Sequence, residues 1–316
     1  MNNELIPAGN NNLVNVNSIN NDTFISWINF LDVKQKTVET YTRAIRQFIK
    51  YLSEHNITQP AREDIINYKS YLIGNNNKAS TIQAYIMAIK QFFKWTEQQG
   101  IYKNIAINIK GAKQEQTFKK DYLTTKQVNK LLKSIDTSTA KGMRDYAIIL
   151  LMITTGLRTI EVARANIEDI RTVADFTALY IQGKGRDEKT DYVKLSEPVE
   201  NAIRQYLATR TNIKAGEPLF SSIANRNNSE RMTTRSISRI AKDNLINANL
   251  ISDKWTAHSL RHTTATLNLL NGASIEETKQ LLRHSNINTT LIYSHALERA
   301  KNNSEDRITQ AIFNNQ

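Results

Sequence analysis

Apolar residues recur at helical spacing through the first third of the chain, and polar or glycine-containing breaks separate the runs. A spacing of three to four residues places such side chains on one face of a helix. The pattern predicts helices over about residues 22–32, 37–54, 61–73 and 80–99. The fourth helix is expected to stop at Gly100, since glycine commonly ends helices. Four amphipathic helices this close together predict an all-helical N-terminal domain, which we assign to residues 21–107.

Beyond residue 121 the pattern changes to helices mixed with short strands. Apolar spacing predicts helices over about residues 124–135, 140–156, 159–165, 197–209, 233–247, 259–270, 274–282 and 289–298. Alternating apolar and polar residues predict strands at Phe176–Gln182 and Asp191–Leu195, joined by the turn 183–187. We therefore expect a mainly α fold with a small β-sheet, in which the all-helical domain precedes a mixed α/β domain over residues 122–316.

Two segments have little periodic apolar pattern. Residues 1–20 are rich in Asn and are expected to form a flexible N-terminal arm. Residues 108–121 are polar and basic, with few apolar side chains to pack, and are interpreted as the linker between the two domains.

Composition narrows the function. The 316 residues include 42 Lys and Arg and 30 Asp and Glu, for a net charge of +12. Residues 1–115 contribute +4 and residues 116–316 contribute +8. This charge is compatible with binding to nucleic acid, but it does not establish such binding. The absence of Cys excludes disulfides and cysteine nucleophiles. Without a long apolar run or a signal-peptide pattern, we expect a cytoplasmic protein.

Two motifs pair an arginine with another functional side chain three residues away. In TGLRTIEV, Arg158 and Glu161 lie on one helical face, where a surface ion pair would be the ordinary explanation. In HSLRH, His258 and Arg261 lie at the start of a predicted helix, a position that favours anions. Arginine can hold phosphate oxygens in a planar fork, so either motif could belong to a phosphate site.

Two further motifs supply a lysine, a histidine and a tyrosine. Lys184 lies in a Gly-Lys-Gly turn, which lacks the spacing of a Walker loop. In LLRHSNINTTLIYSH, Tyr293 follows His284 by nine residues. A lysine at a hairpin tip is often a simple turn residue, and one Tyr among 12 is often only a packing residue.

Joined in one chain, these motifs resemble those of the tyrosine recombinase (phage integrase) family, most closely its Xer-like bacterial members. The resemblance covers roughly residues 22–300 and rests on TGLRxxE, HxLRH and H-x8-Y. It implies a core-binding, SAM-like DNA-binding domain and a catalytic domain that close around the duplex. It also implies site-specific cleavage and rejoining of DNA strands through a 3′-phosphotyrosyl intermediate, without a cofactor or a metal ion.

The resemblance also implies how the phosphate would be attacked. Tyr293 would be the nucleophile, and Arg158 and Arg261 would hold the non-bridging phosphate oxygens. His284 would hydrogen-bond the same phosphate. His258 would either accept the proton of Tyr293 or contact the phosphate.

Two supporting roles follow from the same resemblance. Lys184 would protonate the departing 5′-oxygen, although Lys189 in the same turn is an alternative. Glu161 would hold Arg158 or a nearby His in place. The chain departs from the family at Arg283, because the family usually has Gly before this histidine and Arg adopts positive φ less readily.

Contacts to DNA and to other subunits are expected outside these motifs. Helix N-termini bearing Ser or Thr are suited to phosphate, and the candidates are Lys36, Thr37, Arg43, Lys78, Ser80, Thr81, Thr233, Arg235, Ser236 and Arg239. The tail residues Ile308, Ile312 and Phe313 would contact a neighbouring subunit, with their own domain as the alternative. The implied partners are double-stranded DNA with an inverted-repeat site and further copies of the chain. The resemblance implies a dimer at each site and a tetramer in the synapse. It also implies that the protein acts at the nucleoid.

Other functions stay open at this point. A type IB topoisomerase-like enzyme would use the same nucleophile, and a DNA-binding relative without activity would share the fold. The DNA target, the choice between resolution and integration, and whether Tyr293 acts within its own subunit are not determined by the sequence.

Overall fold

The structure is a computed structural model that describes residues 21–112, 122–183, 185–223, 229–253, 255–293 and 303–313. The chain divides into two compact units, Met1–Gln116 and Thr117–Gln316. The expected arm, residues 1–20, lies outside the described residues, as does most of the expected linker.

The first unit is all-helical. Its helices are α1 (Asn21–Phe30), α2 (Gln35–Glu54), α3 (Arg62–Gly74) and α4 (Ala79–Gln98). Each buries its apolar stripe in one core, which contains Trp27, Ile45, Phe48, Tyr68 and Ile89. Removing these stripes from water is the main force that holds the helices together.

The core of the first unit continues beyond α4. Ile109 is buried in that core, and the ammonium group of Lys69 donates to the carbonyls of Lys110 (2.9 Å) and Gly111 (3.1 Å). Residues 108–112, which the sequence assigned to the linker, therefore pack against the helical unit. Ala112 also packs against this core, and Lys90 donates to the carbonyl of Ile109 (3.3 Å).

The second unit is built around a buried helix. Its helices are α5 (Thr125–Lys133), α6 (Ala140–Thr155), α7 (Thr159–Arg164), α8 (Glu197–Ala208), α9 (Thr234–Asn247), α10 (Ala257–Leu270), α11 (Ile275–Leu282), the helical residues 288–293 as α12, and α13 (Ser304–Phe313). Helix α6 is apolar on almost every side and is covered by α8, α9 and α10. It fixes the positions of the loops at its end.

A three-stranded antiparallel sheet completes this unit. The strands are β1 (Ile170–Val173), β2 (Phe176–Ile181) and β3 (Asp191–Lys194), in the order β1-β2-β3. The expected mainly α fold with a small sheet is confirmed. Strand β1 was not predicted, because it is only four residues long and exposes two polar side chains.

No helix within the described ranges combines the length and apolar character that a membrane crossing requires.

Candidate active site

The connection between α6 and α7 presents the first arginine. Gly156 ends α6 with φ 64, and Arg158 precedes the first residue of α7. The carboxylate of Glu161 accepts from the backbone N–H of Arg158 (2.8 Å) and from its guanidinium (2.9 Å). Glu161 is only 1% exposed. Glu161 is therefore an interior group, whereas the Arg158 side chain is 29% exposed, so the pair joins the interior to the cavity and is not a simple surface ion pair.

Helix α10 supplies the second arginine from the core. Arg261 is 1% exposed, and its guanidinium donates to the carbonyl oxygens of Gly156 and Leu282. One buried side chain thus joins the end of α6 to the end of α11. His258 lies one turn earlier on α10 and is exposed.

The turn after α11 brings a histidine beside the two arginines. Arg283 adopts the left-handed conformation, with φ 53, and its guanidinium donates to Glu161 (3.1 Å). The ring Nδ1 of His284 lies 2.9 Å from the hydroxyl of Thr290 on α12. Arg283 therefore adopts the positive φ that the family's Gly would adopt more readily.

Tyr293 lies on α12 and is 3% exposed. It borders a cavity of about 260 Å³, whose lining residues are Arg158, His258, Arg261, His262, Arg283, His284, Ser285, Thr289, Ile292 and Tyr293. Five of the six expected catalytic residues therefore border one cavity. The sixth, Lys184, lies outside the described residues.

The sequence did not single out His262, Thr290 or Arg283 as members of this site. The His262 ring centre lies 5.3 Å from that of Tyr293 and 4.6 Å from that of His258. His262 is part of the HSLRH motif, so its helical spacing from His258 was the available signal. Thr290 has no local signal, because only the fold brings its hydroxyl to His284.

The cavity changes the acidity of its side chains. Burial, followed by the charges of Arg158 and Arg283, lowers the pKa of Arg261 to about 9. Burial and the neighbouring arginines lower the pKa of His284 to about 4, so its ring is neutral near pH 7. Burial raises the pKa of Tyr293 to about 12, although Arg261 and Arg158 act in the opposite direction.

Lys189, the alternative to Lys184, is committed elsewhere. Its ammonium lies 2.5 Å from a carboxylate oxygen of the buried Asp169.

Within the described ranges, no group of three or more His, Asp or Glu side chains is arranged to hold a metal ion.

The expected DNA contacts of the first unit lie at helix starts. Lys36 and Thr37 are in the first turn of α2, where Lys36 pairs with Glu39 at 2.6 Å. Arg43 lies further along α2. It is exposed and lines a groove that also includes Arg46 and Lys50. Lys78 immediately precedes α4, and the first turn of α4 contains Ser80 and Thr81.

The expected DNA contacts of the second unit lie on α9. Thr233 caps this helix by accepting from the backbone N–H of Ser236 (3.1 Å). Arg235 and Arg239 are exposed on the same helix.

Helix α13 has no buried residue. Its apolar residues Ile308, Ile312 and Phe313 are all exposed, Phe313 by 67%.

A mainly helical protein with these motifs and a tyrosine bordering a cavity rich in arginine defines the class of tyrosine recombinases. The phage integrase family model matches residues 121–299, and the model of the phage integrase N-terminal SAM-like domain matches residues 22–102. The chain belongs to the phage integrase family and is a tyrosine recombinase.

Two bacterial relatives illustrate the similarity. The chain is 28% identical to tyrosine recombinase XerD of Listeria innocua over 87% of this chain and 94% of that protein. It is 38% identical to tyrosine recombinase XerC of Caldanaerobacter subterraneus over 55% of this chain, but that alignment spans only 47% of the relative.

Solved structures share the fold. The XerH site-specific recombinase bound to a palindromic difH substrate, in a post-cleavage complex, superposes with a TM-score of 0.69 at 24% identity, over 83% of this chain and 78% of that one. A lambda integrase dimer bound to a COC′ core site gives a TM-score of 0.65 at 17% identity, over 86% of this chain and 93% of that one.

Proposed function

We propose that the protein is a site-specific DNA recombinase whose Tyr293 attacks a DNA phosphodiester. The observation that carries this proposal is the buried Tyr293, which borders one cavity with Arg158 and Arg261. Two arginines facing the same space suit a phosphate, since each can donate several hydrogen bonds to its oxygens. The full set of candidate groups favours this function over a DNA-binding relative without activity.

The reaction exchanges one phosphodiester for another. The Tyr293 oxygen forms a bond to phosphorus, the bond from phosphorus to the 5′-oxygen breaks, and a 3′-phosphotyrosyl link and a free 5′-hydroxyl result. The phosphodiester energy stays in the new link, so a 5′-hydroxyl of another strand can reverse the step without ATP. Arg158 and Arg261 stabilise the negative charge that grows on the non-bridging oxygens.

Two proton transfers accompany this exchange. Tyr293 has a raised pKa, so it must lose its proton as it attacks, and His258 is our candidate acceptor, with a phosphate contact as its alternative role. Lys184 is our candidate donor to the 5′-oxygen, since Lys189 is held by Asp169.

His284 is assigned a hydrogen bond to the phosphate. Its lowered pKa keeps the ring neutral, so only one of its nitrogens carries a proton. If the Thr290 hydroxyl donates to Nδ1, the proton lies on Nε2 and can be donated to a phosphate oxygen. Glu161 supports this arrangement by holding Arg158.

We assign residues 21–107 to a core-binding domain and residues 122–316 to the catalytic domain, which the two family matches support. Phosphate and groove contacts are assigned to the exposed cations and capping residues of α2, α4 and α9. The post-cleavage XerH structure contains a palindromic difH substrate, and we infer an inverted-repeat site for this chain too. Such a substrate implies action at the nucleoid.

Assembly on DNA is the second part of the proposal. Lambda integrase has been solved as a dimer on a core site and as a tetramer on a Holliday junction. We infer a dimer per site and a tetramer in the synapse. The exposed Ile308, Ile312 and Phe313 of α13 are our candidate contact to a neighbouring subunit, because an apolar helix face is stabilised by being covered.

Covalent capture tests the nucleophile. Inverted-repeat duplexes that bind the protein are first selected from a randomised library, and then a nick is placed at each position across the centre in turn. We expect the wild type to become linked to a 3′ end and Tyr293→Phe to bind equally well without forming the link. Covalent complex in the Phe variant would contradict the assignment.

The same assay examines the other groups. Arg158→Ala and Arg261→Ala should bind the selected duplex but lose capture, whereas loss of folding would indicate a structural role only. Lys184→Ala is expected to slow capture by about 10²–10⁴-fold, as for removal of a general acid. An unchanged rate would remove Lys184 from the mechanism.

A further inference from the structure

Arg283 has an unfavourable backbone conformation for its residue type. It follows the last residue of α11 with φ 53 and ψ 47. Glycine adopts this left-handed region without steric conflict, whereas a side chain with a Cβ is strained there. Strain of this kind persists only where other interactions offset it, and it often marks a functional position. The contacts of the Arg283 side chain are therefore of interest.

Those contacts lead to Glu161. One guanidinium nitrogen of Arg283 donates to Glu161 Oε2 at 3.1 Å, and the other terminal nitrogen donates to the carbonyl of Leu281 at 2.8 Å. Glu161 Oε1 is held by the guanidinium of Arg158 at 2.9 Å, and its Oε2 also accepts from the Arg158 backbone N–H. One buried carboxylate is thus shared by two arginines on different elements.

Because Glu161 is shared, it offsets less of the positive charge of Arg158. If Glu161 had Arg158 as its sole cationic partner, the pair would be neutral. With Arg283 as the second partner, the three groups together carry one positive charge. Arg261 adds another, and the lining of the cavity includes these three arginines and, among the described residues, no carboxylate. The phosphate site therefore has a net charge of about +2 around it.

This positive charge is suited to the transition state of the proposed reaction. A phosphodiester carries one negative charge, and attack by a phenolate oxygen produces a five-coordinate phosphorus group with two. An environment that stabilises the second charge more than the first accelerates the chemical step, because it binds the transition state more tightly than the substrate.

We propose that Arg283 is a positioning residue for DNA cleavage. It binds Glu161, which keeps Arg158 in place with its charge only partly cancelled, and it adds positive charge that stabilises the doubly negative transition state. This proposal rests on the proposed function of Tyr293, but its test includes a measurement that does not depend on cleavage.

Substitution by the residue that relieves the strain provides a sharp test. Arg283→Gly relieves the strain but also removes one partner of the buried Glu161 carboxylate, so its folding is checked by chemical denaturation. It should bind the selected duplex with a Kd within about threefold of the wild-type value, because the bound phosphodiester carries only one negative charge. Covalent capture should nevertheless slow by about 10–100-fold, since a charge that acts on the transition state is missing. Arg283→Lys keeps the charge and should recover most of the rate. Asn212→Gly relieves the same conformation (φ 53) at an exposed loop position and should leave the rate unchanged.

Anion binding provides the independent measurement. At pH 8 inorganic phosphate is mainly a dianion, whereas dimethyl phosphate is a monoanion, and both can be titrated calorimetrically into the free protein. Arg283→Gly should weaken phosphate binding by about tenfold and dimethyl phosphate binding by less than about threefold, because the site has lost one charge.

The outcomes separate the two proposals. A wild type that forms no covalent complex would overturn the role of Tyr293, and the role of Arg283 would then be decided by the two anions. Equal weakening of both anions, or none, would overturn the role of Arg283. Wild-type capture by Arg283→Gly would overturn it as well.

Discussion

Burial decides what His284 and Tyr293 can do. Free histidine and tyrosine titrate near pH 6.5 and 10. In the cavity the pKa of His284 falls to about 4 and that of Tyr293 rises to about 12. In both cases desolvation is the largest cause, and it favours the neutral form. The cavity therefore holds both groups neutral near pH 7, and in the proposed reaction Tyr293 must lose its proton as it attacks.

The neutral state of His284 leads to a pH prediction. Its folded pKa is below its unfolded value, so the unfolded chain binds the proton first as the pH falls. The stability that this pKa difference contributes to the folded state is complete above about pH 6.5. It is lost progressively as the pH falls toward 4. NMR of the ring nitrogens, assigned with a His284→Gln variant, should show a neutral ring at pH 5.5. A ring that titrates near pH 6.5 would contradict this.

The partner of His284 can be removed without changing its volume. Thr290→Val deletes the hydroxyl that lies 2.9 Å from Nδ1. The tautomer is then no longer selected, so covalent capture should slow by about tenfold, which corresponds to about 1.4 kcal/mol and the typical value of one hydrogen bond. A Thr290→Ser variant, which keeps the hydroxyl, should retain most of the rate.

Two chain segments far apart in sequence meet at the candidate active site. The α6–α7 connection and the end of α11 are joined by Arg261, which donates to a carbonyl of each, and by direct packing of Gly156 against Leu282. A Cβ at position 156 would lie 2.6 Å from Leu282 Cδ2. Glycine is required there both by its positive φ and by this close approach.

Gly156→Ala should therefore be strongly destabilising. The left-handed conformation and the forced contact together should lower the free energy of unfolding by about 2–4 kcal/mol. Chemical denaturation of the second unit measures this. The matched control is Gly272→Ala, which has positive φ (93) but no atom near the added Cβ and should cost about 1–2 kcal/mol. Equal losses would show that the contact with Leu282 is unimportant.

Across the chain, positive charge is present in both units. The net charge of +12 includes exposed cations on α2 and α9, outside the cavity. Binding to DNA releases counterions in proportion to the number of phosphates neutralised, so the affinity should fall steeply with salt. In the proposed function the cavity holds one phosphate, which leaves the exposed cations for the flanking backbone.

The salt dependence can be assigned to an element. Plotted as the logarithm of the binding constant against that of salt concentration, affinity for the selected duplex should fall with a slope of about −0.9 per phosphate contact. Replacing both Arg235 and Arg239 on α9 by Ala should reduce the slope by up to about 2 if both contact phosphates. A slope unchanged by the double substitution would remove α9 from the phosphate contacts.

The local sequence pattern was sufficient to predict most of the helices and the candidate site motifs of this protein. Helical spacing placed every helix of the first unit to within two residues, because each segment alone must bury one apolar face. The motifs identified the family and the candidate Arg158, Arg261 and Tyr293, since their spacing is written in the chain. Strand β1 escaped prediction because it is held mainly by its pairing with β2.

Tertiary structure alone decided how the candidates act together. Residues 161 and 283 are separated by 122 positions, yet they form an ion pair, and Thr290 reaches His284 only because α12 follows the turn after α11. The pKa values of Arg261, His284 and Tyr293 depend on burial and on charges from other elements, which no local pattern contains. Arg283 appeared in the sequence as a departure from the family. The fold makes it a partner of Glu161, because side-chain contacts between distant segments exist only after folding.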